Sequence, residues 1–127
     1  MGKVIEKIKL TNIFDPSKSV EIDAVIDSGA TMLALPQDVV EQLALQKDRD
    51  VRVRYANNHS EGKSIYGFVR LELAGRRGNF DVLAEPTGAT PLVGQVVLEL
   101  LDLLIDSKSR KLIPNPLSPE MPMMEIL

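Results

Sequence analysis

Hydrophobic and polar positions alternate with a period of two along most of the chain. In Lys3-Val4-Ile5-Glu6-Lys7-Ile8-Lys9-Leu10, residues Val4, Glu6, Ile8 and Leu10 stand opposite Lys3, Ile5, Lys7 and Lys9, which predicts a strand with one wetter face. Asp15-Pro16-Ser17-Lys18 supplies turn chemistry, because proline fixes φ and aspartate can bond the backbone ahead of it. Val20-Glu21-Ile22-Asp23-Ala24-Val25-Ile26 resumes as a strand, so residues 3–26 predict a hairpin whose second arm turns fully apolar as it nears Asp27. Alternation returns in Val51-Arg52-Val53-Arg54-Tyr55, a solvated face that accounts for Arg49, Arg52 and Arg54 without a ligand. It returns again over 63–74 and 79–84, around a turn at Gly75-Arg76-Arg77-Gly78 in which both arginines are turn residues.

Two segments break the period. After Pro36, the residues Val39, Val40, Leu43 and Ala44 share one helical face and Asp38 falls in the first turn, where the helix dipole favours it; a helix is predicted over about 37–45. Gln95–Leu101 places Val96, Val97, Leu100 and Leu101 at helical spacing and predicts a second short helix. Leu103-Leu104-Ile105 and Lys111-Leu112-Ile113 predict two last strands. Pro114, Pro116, Pro119 and Pro122 then deny the chain both helix and central strand, so 1–116 forms one domain and 117–127 an extended Pro/Met-rich tail, flexible from about 118.

Composition narrows the chemistry. The 127 residues are enough for one domain, and 15 Lys+Arg against 18 Asp+Glu leave a net charge of −3. Without a basic excess, and with only Phe14, Tyr55, Tyr66, Phe68 and Phe80 to stack bases, no nucleic-acid partner is expected. The chain has no cysteine and a single His59, which excludes a thiol nucleophile, disulfides, Cys-containing metal sites and multi-His metal sites. No metal and no cofactor are expected. The Met1–Lys9 segment lacks an apolar signal-peptide core, and Gly2 is followed by Glu6 where a myristoylation motif needs Ser or Thr. No apolar run is long enough to span a membrane, so no membrane partner and a cytoplasmic location are expected.

What remains is carboxylate chemistry, and the sequence concentrates it at Asp27-Ser28-Gly29-Ala30, directly after Ala24-Val25-Ile26. The apolar strand carries the aspartate toward a low-dielectric interior. The Ser28 hydroxyl is placed to tie the loop to nearby backbone, and Gly29 permits close approach of another chain segment. Taken alone, such a triplet is equally an ordinary strand-ending turn. About 65 residues on, Leu92-Val93-Gly94 leads into the second predicted helix.

These two motifs, in this order and at this separation, resemble the retropepsin-like aspartic proteases, single-domain relatives of retroviral protease. The resemblance covers roughly Ile22 to Pro114: Ala24–Thr31 resembles the family's active-site loop, Leu92-Val93-Gly94 its second hallmark, Gln95–Leu101 the helix after it, and Leu103–Pro114 the closing hairpin. It implies an all-β acid-protease barrel with one or two short helices. It also implies a peptide hydrolase in which two carboxylates share one proton, one activating water and the other donating to the scissile carbonyl. Asp106-Ser107 is followed by Lys108, so the chain offers only one Asp-Ser/Thr-Gly triplet. A complete site of this type then requires a homodimer, with Asp27 and its mate at a two-fold axis.

The resemblance further implies a β-hairpin flap over an extended polypeptide substrate. Val51–Gly67 occupies that place, with Asn57, Asn58, His59, Ser60, Glu61 and Gly62 near its tip. This tip is more polar than a glycine-rich retroviral flap, and His59 reads as a solvated turn residue. The alternative reading is a non-catalytic dimeric peptide-binding or assembly module on the same fold; the intact Asp27-Ser28-Gly29 favours the enzyme.

Overall fold

The computed structural model describes residues 3–126. The reading of Met1 and Gly2 as a chain start without a signal or lipidation motif lies outside them. Strand β1 (Val4–Asn12) and strand β2 (Ser19–Ile26) form the predicted hairpin, in register from Val4↔Ile26 to Thr11↔Ser19. Its turn is closed from both ends: the Lys18 N–H donates to the Asp15 carbonyl at 2.9 Å, and the Phe14 N–H donates to Asn12 Oδ1 at 2.8 Å. The buried Asn12 side chain also donates to the Leu43 carbonyl at 2.9 Å, which fastens this turn to the end of a helix 31 positions on.

Strand β3 (Leu33–Pro36) runs straight into helix α1 (Gln37–Gln42). The helix is shorter than the 37–45 its apolar face predicts. Ala44 adopts a left-handed conformation (φ 53), its N–H donates to the Glu41 carbonyl at 2.9 Å, and the Leu45 N–H reaches the Val40 carbonyl at 3.2 Å. This paired closure ends a helix and satisfies its last carbonyls, here with alanine where glycine is usual. Val39, Val40 and Leu43 are buried, as their spacing requires.

Strands β4 (Gln46–Arg54), β5 (Ser60–Leu73) and β6 (Arg76–Glu85) form an antiparallel meander. Strand β4 starts five residues before the alternating Val51-Arg52-Val53, and its first residues are all exposed and mostly charged. It is an edge strand, and charge along an edge discourages pairing with another chain. The β5–β6 turn is tighter than predicted. Ala74 and Gly75 alone make it, both at positive φ, and Arg76 already pairs with Leu73. Arg76 is therefore a buried strand residue and not a turn residue; its place is on the face of Phe80, Val82 and Ala84.

Strand β7 (Leu92–Val93), helix α2 (Gln95–Leu101), strand β8 (Leu103–Asp106) and strand β9 (Lys111–Pro114) complete the chain. The large sheet runs β1-β2-β7-β3-β6-β5-β4, with a further pairing of β1 to β5; β8 and β9 form a separate hairpin. The core lies among Ile8, Leu10, Leu33, Leu35, Val69, Leu71, Val82, Val93 and the inner faces of both helices. The fold is thus mostly β with two short helices, in keeping with an all-β retropepsin-like chain.

Beyond β9 the tail is irregular, as its prolines dictate, yet it is not free from residue 118 onward. Ser118 is buried, its carbonyl accepts from Arg76 Nη2 and its hydroxyl donates to Asp102 Oδ2. The Met123 N–H donates to the same carboxylate at 3.1 Å. Arg76 also donates to the carbonyls of Leu101 and Asp102, at 3.0 and 2.8 Å. A polar clasp that the proline pattern could not announce thus anchors the tail as far as Met123. No helix among the described residues is long and apolar enough to cross a membrane.

Candidate active site

The two sequence motifs meet. β7 is inserted between β2 and β3, parallel to the first (Val25↔Leu92, Ile26↔Val93) and antiparallel to the second (Ala34↔Leu92). The loop that joins β2 to β3, which carries Asp27-Ser28-Gly29-Ala30, must therefore arch around the end of β7. Backbone bonds fix its path. The Val25 N–H donates to the Pro91 carbonyl and the Asp27 N–H to the Val93 carbonyl, both at 2.9 Å. On the far side of the arch, the Gln95 and Val96 N–H groups donate to the carbonyls of Ala30 and Thr31, both at 2.8 Å. The first amides of α2, which have no partner within their own helix, are thus satisfied by the loop that carries Asp27.

Gly94 is what lets the arch close. A Cβ at this position would lie 2.5 Å from the Met32 nitrogen, 2.6 Å from its carbonyl oxygen and 2.7 Å from the Thr31 carbonyl carbon. All three are backbone atoms, so no side-chain rotation relieves the contact. Its φ of −93° and ψ of −176° suit any residue, so space and not conformation demands glycine here.

Asp27 sits at the mouth of this arrangement. Ala24 and Ile26 before it are buried, but Asp27 itself is half-buried in the single chain, and Ser28 and Gly29 are exposed. The expectation of a carboxylate sunk in the interior is corrected accordingly, because the chain turns outward as soon as the strand ends. Asp27 Oδ1 accepts the Gly29 N–H at 2.9 Å, and the Ala30 N–H donates to the Asp27 carbonyl at 3.1 Å. A Cβ on residue 29 would stand 3.2 Å from Oδ1, so glycine leaves the carboxylate its room. The Ser28 hydroxyl makes no hydrogen bond within the chain among the described residues, contrary to the expected tie to nearby backbone.

The remaining predicted residues lie elsewhere. Asn57, Asn58, His59, Ser60 and Gly62 occupy the exposed end of the β4–β5 hairpin. That end is a tight turn: the Tyr55 N–H donates to the His59 carbonyl at 2.8 Å, the Asn58 N–H to the Tyr55 carbonyl at 2.9 Å, and the His59 N–H to Asn57 Oδ1 at 2.9 Å. Asn58, at φ 67, takes the left-handed position that asparagine tolerates. His59 Nε2 lies 3.6 Å from Glu61. Among the described residues no three Asp, Glu or His side chains gather closely enough to hold a metal ion.

Thr31 lay within the expected loop, but sequence reasoning missed Met32, which with Thr31 supplies the backbone that receives α2 and Gly94. Only main-chain atoms do this work, and those leave no trace in residue type. It also missed Glu85, Lys63 and Tyr55, which join the hairpin to the body; a Glu–Lys pair 22 positions apart has no local signature.

A family profile described as aspartyl protease matches residues 12–98, more than half of the chain and spanning both motifs. The chain belongs to the aspartyl protease family. No curated protein matches it significantly.

Proposed function

We propose that the protein is a homodimeric aspartic endopeptidase in which Asp27 of each subunit supplies one of two catalytic carboxylates. The observation that carries this reading is the arch itself. Asp27 is fixed at the end of β2 by its bond to Val93, and its half-buried side chain stands on a loop whose neighbours Ser28 and Gly29 are exposed. A half-buried, backbone-anchored carboxylate on an exposed loop suits a group that completes its surroundings with a second copy.

In the dimer one carboxylate is ionised and takes a proton from water as the oxygen attacks the peptide carbonyl. The other is neutral and donates a hydrogen bond to the carbonyl oxygen; the proton then passes to the leaving amine. The β4–β5 hairpin serves as the flap, beneath which an extended polypeptide lies strand-like, its alternate side chains entering pockets on opposite sides.

Asp27→Asn tests the reading. The amide keeps the size and most of the hydrogen bonding of the carboxylate but cannot act as the base. Peptidase activity on a mixed peptide library is expected to fall by at least about a thousandfold, by analogy with loss of other essential acid–base groups. Sedimentation of the variant should still give twice the 14.0 kDa chain mass. Undiminished cleavage would place the chemistry elsewhere. Peptide binding without cleavage by the unmodified chain would instead support the non-catalytic module.

A further inference from the structure

The β4–β5 hairpin extends beyond the sheet. β5 pairs with β6 only from Ile65↔Leu83 onward, so Ser60–Ser64 have β4 as their sole strand neighbour. Most side-chain bonds of this overhang stay inside β4–β5: Arg52 to Ser60, Ser64 to Asp50, and His59 and Lys63 to Glu61. Among the described residues, every side-chain hydrogen bond or ion pair from positions 51–64 to a residue outside the β4–β5 hairpin ends on one residue, Glu85. Lys63 Nζ lies 3.0 Å from Glu85 Oε1, and the Tyr55 hydroxyl donates to the same oxygen at 3.2 Å. The Lys63 ammonium also stands 6.0 Å from the centre of the Tyr55 ring.

Two observations make this contact more than a surface ion pair. The side chains of Lys63 and Glu85 are only 12% and 19% exposed, so their attraction is less screened than between solvated charges. And Glu85 is the last residue of β6, paired with Pro36 of β3, from which Pro86-Thr87-Gly88-Ala89 turns toward Pro91 and the Leu92-Val93-Gly94 motif. The hairpin is therefore moored to the same connection that shapes the active-site arch. The Glu85 carboxylate holds the Lys63 ammonium well above the usual lysine range, and burial raises the Tyr55 phenol, both consistent with a shielded contact.

We propose that Glu85, with Lys63 and Tyr55, forms an ionic latch that holds the β4–β5 hairpin down and opens to release it. The latch rests on the reading of that hairpin as a flap only for its role in admitting a peptide. Lys63 is paired at the same time with a second carboxylate inside the hairpin, Glu61, at 3.3 Å. Releasing Glu85 thus leaves the ammonium paired, and an open state loses less than a full ion pair. A groove of about 440 Å³ beside the contact, walled by Gln37, Gly62, Pro86 and Thr87, gives the side chains space to part without disturbing the core. A hairpin whose tie to the body can break while its cation stays paired is the kind of element that a ligand shifts.

Amide hydrogen exchange, read without substrate, tests the latch independently of any peptidase activity. In Glu85→Gln the amides of residues 55–64 are expected to exchange about tenfold faster than in the unmodified protein, while β1 and β2 keep their protection. Tyr55→Phe, which removes one hydrogen bond at a half-buried site and leaves the fold intact, is expected to give a smaller rise of about threefold in the same segment. Unchanged exchange over 55–64 in both variants overturns the proposal. So does a rise shared equally by β1 and β2, because Glu85 would then support the whole domain and not the hairpin.

Discussion

At Gly94 a missing methyl group decides whether the loop carrying Asp27 keeps its path. The position is buried, and its surroundings are the main chain of Thr31 and Met32, just past Asp27 on the same loop. Gly94→Ala is expected to destabilise the fold by about 2 kcal/mol, in the range for overpacking a tight interior, seen as a lowered thermal midpoint. Because the backbone that must move is the loop carrying Asp27, peptidase activity should fall further than the stability loss alone explains. An alanine variant with wild-type melting and activity would show that the arch has slack. The glycine, the aspartate and their order were legible from residue types. Arg76 shows why other residues were not. Its neighbours Gly75 and Gly78 read as turn chemistry, but the turn needs only Ala74 and Gly75, so the arginine is drawn into the strand and buried. The period-two relation to Phe80, Val82 and Ala84 was the available signal, and an arginine on a buried face argues against itself until its carbonyl partners are known.

Elements with one wet and one dry face were the easiest to foresee. β1, β2, β5 and β6 alternate, and both helices carry an apolar stripe. β3 is buried at all four positions and shows no alternation, so Leu33–Pro36 carried no periodic signal of a strand. The first half of β4 failed for the opposite reason, being exposed on both sides. The tail is held by contacts between distant segments that no periodicity encodes. Asp102, at the end of α2, is their hub: it accepts from the Ser118 hydroxyl, the Asn115 amide at 3.0 Å and the Met123 N–H. These donors, the Ser118 hydroxyl foremost, hold its carboxyl below the ordinary value of 3.8. A carboxyl lowered in the folded state stabilises the fold above its unfolded pKa and loses that contribution as pH falls through its folded one. Asp102→Asn keeps the left-handed backbone at φ 55 comfortable and removes the charge together with one of the two acceptor oxygens. Its melting temperature should therefore lie below that of the unmodified protein at neutral pH, and the gap should close as pH is lowered past 3.8. A gap that stays constant down to pH 2 would mean that the carboxylate charge is not what holds the tail.

At the scale of the whole molecule, the family and the β-rich fold were readable, because two short motifs about 65 residues apart constrain one loop between them, whereas the half-exposed setting of the carboxylate was not. The assembly is a different matter: symmetry leaves no mark on a single sequence except that one carboxylate is present where the chemistry needs two. That shortage gives the sharpest prediction. If each active site is built from both subunits, a dimer with one Asp27→Asn chain holds one carboxylate and is as inactive as a dimer with none. When unmodified and variant chains are mixed in equal amounts and allowed to exchange, random pairing leaves about a quarter of the dimers with two intact aspartates. Activity should then fall to about half of what the unmodified chains gave before the variant was added, since those chains alone formed twice as many competent dimers. Raising the variant to a threefold excess should reduce it to about a quarter. If each chain instead carried a complete site, the variant would be a bystander and activity would stay constant at every ratio. Measured at fixed concentration of unmodified protein, well above the dimer dissociation constant so that added chains change composition and not the extent of association, the two outcomes are separated by a factor that grows with each addition.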